Sequence, residues 1–264
     1  MKKKSKYKKH KKIKHIKKII VKNKKKLTGI INSNPKNKIR REKIGINKFD
    51  KLVQGGVELG SVNLIVGGGG SGKTIFAMQF LIEGMKKGEN MLYITFEEEK
   101  EEFYSNMLKI NWDLNKMEKT GKFTFLEYSP EKIKMMLDEG GGSVESIIIK
   151  KNIKRMVIDS LNSFSMLFKE SDVKRQNISS LFDIIRKWNC TTFLTYQGDN
   201  LKEEESSIAE AQADGLILLN FEKIKGKRQR TIEILKMRGT KHSTDTYSFE
   251  IGKGGIKIGK KLKK

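Results

Sequence analysis

Residues 66–74 have the sequence VGGGGSGKT. Four consecutive glycines destabilise both helices and strands, by roughly 0.5–1 kcal/mol each relative to alanine. They fit either a flexible linker or a loop whose bare backbone wraps around phosphate oxygens. The flanks favour the second interpretation, because an apolar strand pattern, SVNLIV, precedes the glycines and an apolar helix pattern, IFAMQFLIEGM, follows them.

This stretch matches the phosphate-loop pattern G-x-x-x-x-G-K-[ST], which requires a strand before the glycine loop and a helix after it. Backbone N–H groups of such a loop, and those of the first turn of the following helix, bind phosphate oxygens. The lysine of the pattern reaches the β- and γ-phosphates, and the threonine hydroxyl ligates Mg²⁺. The residues expected to bind nucleotide are therefore Gly67, Gly68, Gly69, Gly70, Ser71, Gly72, Lys73 and Thr74.

The positive charge of the chain is concentrated at its two ends. The formal net charge is +25, but positions 1–43 hold 20 Lys and Arg with a single Glu, and positions 251–264 hold six Lys with no acid. The intervening residues carry no net charge, which argues against a nucleic-acid-binding body. The segment 1–26 contains 15 lysines and few large apolar residues, so we expect it to be disordered.

Cysteine usage and hydropathy indicate the compartment. A single cysteine, Cys190, excludes an intrachain disulfide, is typical of a reducing environment, and is most simply a small buried hydrophobic residue. No run of residues reaches the ~18 apolar positions of a membrane span, and the N-terminal segment is too charged for a secretory signal. We therefore expect a cytoplasmic protein.

Strand patterns alternate with helix patterns from Ile44 onward, and strand patterns alone follow from position 214. Such alternation predicts an α/β domain on a mostly parallel sheet, with antiparallel strands added late. We expect a basic tail and linker over 1–43, the folded domain over 44–258, and a short basic tail over 259–264.

Acidic residues follow two further strand patterns. Asp159 ends the apolar strand RMVID, where it would hold Mg²⁺ together with Thr74. Glu97 and Glu98 follow the strand NMLYITF, where one of them would orient or deprotonate the water that attacks a phosphate. The same glutamates also suit the solvated acidic start of a helix, and the spacing alone does not decide between the two roles.

Several stretches together resemble the KaiC-like branch of the RecA superfamily. Residues 93–103, YITFEEEKEEF, are similar to the family's strand that ends in a Glu pair, and residues 233–243, EILKMRGTKHS, contain its Lys-x-Arg-Gly element. The likeness covers residue 44 to about residue 258. Ahead of the phosphate loop, the positions that match the family pattern are Gly45, Phe49, Asp50, Leu52, Gly55, Gly56, Gly60 and Ser61.

The resemblance implies a RecA-like P-loop ATPase fold and a nucleotide site between adjacent subunits of a ring-like homo-oligomer, a hexamer. It implies that Glu97 or Glu98 activates water. It also implies that Lys236 and Arg238 reach the γ-phosphate of a neighbouring subunit in trans, with Arg230 a weaker candidate on the same face. Gln197 stands where related ATPases have a residue that senses the γ-phosphate. The cofactors implied are ATP and Mg²⁺.

Three functions fit these features. The first is a Mg²⁺-dependent ATPase whose cycle changes subunit contacts. The second is a nucleotide-switched module with little turnover, which presents its nucleotide state to a protein partner. The third is a DNA-associated ATPase, although residues 198–212, at the position of a recombinase DNA-binding loop, hold four Glu, one Asp and one Lys. Nucleic acid or an anionic membrane surface would then contact only the lysine-rich N-terminal tail.

Overall fold

The structure is a computed structural model that describes residues 40–262, except for positions 130, 131, 133, 134, 137, 141, 199–203 and 225. The predictions for residues 1–39 lie outside the described residues. No helix among the described residues is both long and apolar enough to cross a membrane.

The described residues form eleven strands and eight labelled helices. The strands are β1 (Arg41–Glu42), β2 (Val57–Glu58), β3 (Val62–Gly67), β4 (Asn90–Thr95), β5 (Phe123–Glu127), β6 (Ile153–Asp159), β7 (Thr191–Gln197), β8 (Gly215–Ile224), β9 (Lys227–Met237), β10 (Tyr247–Gly252) and β11 (Gly255–Lys261). The helices are α1 (Asn47–Leu52), α2 (Lys73–Lys86), α3 (Lys100–Leu108), α4 (Leu114–Lys119), α5 (Gly142–Lys151), α6 (Leu161–Ser165), α7 (Ser171–Trp188) and α8 (Glu204–Gln212).

Nine strands form one sheet in the order β11-β10-β9-β8-β3-β7-β6-β4-β5, and β1 pairs with β2 separately. The six strands from β8 to β5 in this order are parallel. Strands β9, β10 and β11 extend the sheet in antiparallel fashion. The predicted α/β fold, a mostly parallel sheet with late antiparallel strands, is therefore confirmed.

Successive side chains of the central strands point to opposite faces of the sheet, so the core has two layers. On β3, Ile65 packs in the layer that contains the apolar residues of α2, α3 and α4. Val62, Leu64 and Val66 face the opposite layer, which contains those of α5, α6, α7 and α8. Because both faces of the sheet are covered, its central strands are apolar on both sides. Side chains that end the strands are then the ones available to a ligand.

Cys190, between α7 and β7, is buried as the sequence predicted, and burial raises the pKa of its thiol to about 11.

Candidate active site

The phosphate loop joins β3 to α2, and its shape explains two of its glycines. A Cβ at Gly67 would lie 2.2 Å from the carbonyl oxygen of Leu219 on the neighbouring strand, so only glycine fits there. Gly72 directly precedes α2 with φ +103°, a conformation that favours glycine. The backbone from Gly67 to Gly72 can therefore lie close to a ligand, and the helix N-terminus begins at Lys73.

Lys73 and Thr74 are the first two residues of α2, and both side chains point toward groups of the site. Lys73 Nζ donates to the carbonyl oxygens of Gly67 and Gly68, at 2.8 and 3.1 Å. Thr74 Oγ1 donates to Asp159 Oδ2 at 2.8 Å. The phosphate loop and the end of β6 are thus joined directly, which brings together the two residues expected to share a Mg²⁺ ion.

The Asp159 carboxylate is fixed by hydroxyl groups from three elements. Besides Thr74 of α2, Tyr93 of β4 donates to Oδ2 at 2.7 Å, and Thr195 of β7 donates to Oδ1. Tyr93 is buried, and the pKa of its phenol is raised well above the usual value, by burial first and then by the charge of Asp159. The phenol is therefore a proton donor to Asp159 over the whole physiological pH range.

The two glutamates after β4 have different environments. Glu97 Oε1 accepts hydrogen bonds from the hydroxyls of Ser160 and Ser163, in the connection from β6 into α6. Glu98 accepts no side-chain hydrogen bond that the described residues show. The pKa of Glu98 is raised, chiefly by desolvation and then by repulsion from Asp159, Glu102 and Glu97. Glu97 is therefore held in place by two hydroxyls, while Glu98 is a partly desolvated carboxylate that lies close to other negative charges.

Gln197 ends β7 beside the phosphate-loop strand, in register with Gly67. Its side chain is exposed, and its backbone is fixed by the Asn162 side chain. Asn162 Nδ2 donates to the Gln197 carbonyl at 2.8 Å, and Asn162 Oδ1 accepts from the Gln197 N–H at 2.6 Å. The structure therefore brings Gln197 to the same edge of the sheet as the phosphate loop.

Lys236 and Arg238 lie at the opposite edge, near the amino end of β8. Lys236 Nζ donates to the carbonyl oxygen of Glu210 at 2.8 Å, and Arg238 pairs with Asp214 at 3.0 Å. Burial and the neighbouring Arg238 lower the pKa of Lys236. Lys236 pairs with Leu216, which lies beside Leu64 on β3, three residues before Gly67. At 3.3 Å per residue, these cations therefore lie roughly 10 Å or more along the strand direction from the phosphate loop of their own chain.

Arg230, the weaker candidate for the same face as Lys236, lies instead at the carboxyl edge beside the phosphate loop. Its Nε donates to the Gly70 carbonyl at 3.0 Å, and its guanidinium lies 4.1 Å from the centre of the Phe221 ring. The five residues between Arg230 and Lys236 run along β9 from the carboxyl edge toward the amino edge of the parallel strands. Arg230 therefore contacts the phosphate loop of its own chain.

The site's donor set fits both expected groups. Ser71 Oγ is buried inside the phosphate loop and has no hydrogen-bond partner among the residues that the structure describes, as expected of a donor whose acceptor is a bound phosphate. Thr74 and Asp159 offer adjacent oxygen atoms, and oxygen ligands are the ones that Mg²⁺ prefers. The described residues contain no cluster of three or more His, Cys, Asp or Glu that would hold a different metal ion.

Comparison with known proteins decides the family. The family model described as "ATPase: KaiC" matches residues 42–263, which include the whole of this site. The chain belongs to the KaiC family of ATPases.

Relatives within the KaiC family include proteins of two lengths. The circadian clock protein KaiC3 of Synechocystis is 35% identical over 83% of the chain, and the chain spans only 46% of that protein. An uncharacterised-family (UPF0273) protein of Thermotoga maritima is 31% identical over 83% of the chain, which spans 96% of it. The crystal structure of a KaiC-like protein of Pyrococcus horikoshii superposes with a TM-score of 0.76 at 33% identity, covering 84% of this chain and all of that one.

Sequence reasoning missed several residues of this KaiC-family site. Tyr93 and Thr195 lie inside strands, to which the sequence assigned no site role. Ser160 directly precedes the five-residue helix α6, which contains Asn162 and Ser163. One signal was present: a hydroxyl residue close to the carboxyl end of a buried parallel strand lies at the edge where ligands bind.

Proposed function

We propose that the chain is a Mg²⁺-dependent ATPase that hydrolyses ATP at the interfaces of a homo-oligomer, to drive or signal a conformational change. The observation that carries this proposal is the direct bond from Thr74 of the phosphate loop to Asp159 of β6, with Glu97 anchored beside it. One edge of the sheet then holds the three parts that the reaction needs. These are a loop to bind the phosphates, a pair of Mg²⁺ ligands, and a carboxylate to orient the attacking water.

Hydrolysis requires water to attack the γ-phosphorus while the bond to the β–γ bridging oxygen breaks and ADP leaves. Both serine hydroxyls contact Oε1 of Glu97, and Oε2 accepts no hydrogen bond that the described residues show. This second oxygen is therefore able to accept a hydrogen bond from the attacking water. We assign the water-orienting role to Glu97 and a supporting role to Glu98.

The remaining residues of the site act on the phosphates. Lys73 would turn from the loop carbonyls to the β- and γ-phosphates, and the backbone N–H groups of residues 67–74 would surround them. Gln197 would contact the γ-phosphate from the end of β7. Bound Mg²⁺, held by Thr74 and Asp159, would neutralise charge that develops on the phosphate oxygens.

Lys236 and Arg238 would act on the site of a neighbouring copy. In the single chain their donors are directed at carbonyl groups of residues 210 and 211 and at Asp214, away from the chain's own loop. A head-to-tail interface would bring them to the next subunit's γ-phosphate, and such interfaces close into rings. The proposed assembly is a hexameric ring, and a protein partner would respond to its nucleotide state.

Phosphate release from Mg²⁺-ATP, measured on the full chain together with its mass by light scattering, tests this function. We expect turnover in an ATP-dependent oligomer. Changing Glu97 to Gln should reduce turnover about 10²–10⁴-fold, the usual contribution of such a group, while ATP binding is retained. Glu98→Gln should reduce it less, and Glu101→Gln, an exposed acid in the first turn of α3, should match the wild type.

Other outcomes would support the alternatives. ATP binding by a monomer without phosphate release would contradict the ATPase and leave a nucleotide-switched binding module. Stimulation of turnover by double-stranded DNA would favour a DNA-associated ATPase. Residues 198–212 stand at the position of a recombinase DNA-binding loop, and their described part includes α8. Asp and Glu outnumber Lys in this sequence, which disfavours DNA there. Binding of nucleic acid or an anionic membrane through the N-terminal tail stays a prediction.

A further inference from the structure

Tyr93 is a buried polar residue that has no chemical role in the proposed hydrolysis of ATP. Its side chain is 1% exposed, in the face of the sheet that packs against α2. A phenol buried in an apolar layer must find a hydrogen-bond partner. The partner here is not a backbone carbonyl but Asp159 Oδ2, at 2.7 Å, the same oxygen that accepts from Thr74.

The register of the sheet explains how the contact arises. Asp159 on β6 lies beside Thr95 on β4, and Tyr93 lies two residues earlier on β4, so it faces the same side of the sheet as Asp159. On the other flank Ile158 pairs with Leu194 of β7, which puts Thr195 beside Asp159. The two strands that flank β6 therefore each supply one hydroxyl to its terminal carboxylate.

Packing fixes the position of the Tyr93 hydroxyl. The Tyr93 ring is stacked on Phe125, with ring centres 5.6 Å apart and planes 5° from parallel, and it lies 4.6 Å from the Phe103 ring. A side chain held between two aromatic rings keeps one rotamer. Its hydroxyl is therefore a rigid reference point, whereas Asp159 alone could rotate about its terminal torsion angle.

We propose that Tyr93 is a positioning residue that holds Asp159 Oδ2 against Thr74, so that the two oxygen ligands present one preformed Mg²⁺ site. This inference rests on the proposed Mg²⁺-ATP function. Thr195 holds the other carboxylate oxygen in the same way. Because both groups are neutral donors, they orient the carboxylate without cancelling the charge that attracts a cation. Groups that orient metal ligands in this way typically change metal affinity 10–100-fold when removed.

The test is magnesium-dependent binding of the non-hydrolysable β,γ-imido analogue of ATP to the full chain, so that turnover is not needed. The variant Tyr93→Phe removes only the hydroxyl. We expect about a 10-fold rise in the Mg²⁺ concentration at half-saturation, with no change in analogue affinity in EDTA. Thr195→Val should shift the same curve in the same direction. The matched control is Tyr104→Phe, whose hydroxyl bonds Glu118 away from the site.

A second comparison separates positioning from a structural role. In an Asp159→Asn background, Tyr93→Phe should cause no further change in magnesium dependence, because the phenol acts through the carboxylate. Three outcomes would overturn the proposal. The magnesium curve of Tyr93→Phe could match that of the wild type, or the variant could lose as much analogue affinity in EDTA as in Mg²⁺. The third is a shift in the Asp159→Asn background as large as in the wild-type background. A Tyr93→Phe protein that fails to fold would also overturn it, by giving the hydroxyl a role in folding.

The outcome is distinguishable from failure of the proposed function. Wild-type protein that binds Mg²⁺ and the analogue but releases no phosphate from ATP would contradict the ATPase, while the magnesium curves would still support the role of Tyr93. Wild-type binding that is independent of Mg²⁺ would overturn the role of Tyr93 and leave nucleotide binding itself intact.

Discussion

At the carboxyl ends of the parallel strands the acidic side chains are held by neutral hydroxyls, whereas at the amino ends charged side chains are held in ion pairs. Asp159 and Glu97 accept hydrogen bonds from Thr, Tyr and Ser side chains. At the other edge Arg155 pairs with Glu89, and Arg238 pairs with Asp214. An ion pair cancels charge, while a hydroxyl fixes a carboxylate and leaves its charge available to a ligand.

The amino edge itself contains two kinds of cation. Arg155 is fully buried and also donates to the carbonyl oxygens of Lys43 and Phe80, so it ties the start of the domain to β6 and α2. Arg238 is half exposed, with its guanidinium at the surface. We interpret the first as part of the folded structure and the second as a group that exchanges its intrachain bonds for a neighbour's phosphate.

The largest expected effect comes from Arg238. Arg238→Ala should reduce phosphate release about 10³-fold or more, the usual contribution of such a group, while Lys187→Ala, another exposed cation of this edge, should have no effect. Mixing Arg238→Ala with Glu97→Gln subunits should restore activity, because about a quarter of randomly formed head-to-tail interfaces would then combine an intact site with an intact arginine. Equal inactivity of the mixture and its parents would contradict the trans role.

Arg155 should affect stability and not ligand binding. Arg155→Met leaves the Glu89 carboxylate, and Glu42 beside it, without their cation, so the free energy of unfolding should fall by about 3–5 kcal/mol. Denaturant unfolding measures this change, with Lys154→Met, an exposed neighbour on β6, as the matched control. ATP affinity of the folded variant should equal that of the wild type. If the fully folded variant bound ATP more weakly than the wild type, the amino and carboxyl edges of the sheet would be coupled.

Much of the carboxyl edge could be predicted from the sequence. The phosphate loop is a local pattern. Asp159, Glu97 and Gln197 lie at or just after the ends of strand patterns, and the carboxyl ends of parallel strands lie together at one edge. The strand order was not needed for this prediction. It required only that parallel strands present their carboxyl ends at one edge.

The contacts that hold the site could not be predicted because they depend on strand order and register. Tyr93 reaches Asp159 only because β4 and β7 both flank β6, an order that no local pattern encodes. Arg230 was misplaced for a related reason, since closeness in sequence along an extended strand puts two residues at opposite edges of the sheet. The ion pairs of Arg155 were equally out of reach, because its partners Glu42 and Glu89 come from distant segments that no local pattern connects.

The smallest expected effect concerns the anchor of Glu97 at the carboxyl edge. Removing both hydroxyls in Ser160→Ala/Ser163→Ala should lower turnover about 10-fold, because the orientation of Glu97 is then lost at a cost of roughly 1.5 kcal/mol, the lower end of the net contribution of a hydrogen bond to a charged group. ATP affinity should not change, and Ser146→Ala, whose hydroxyl bonds the Gly142 carbonyl on α5, is the control. Unchanged turnover would mean that Glu97 needs no anchor. A loss of ATP affinity as large as the loss of turnover would show that the serines maintain the shape of the nucleotide site. The difference between the hydroxyl-bonded edge and the ion-paired edge would then affect folding and not catalysis.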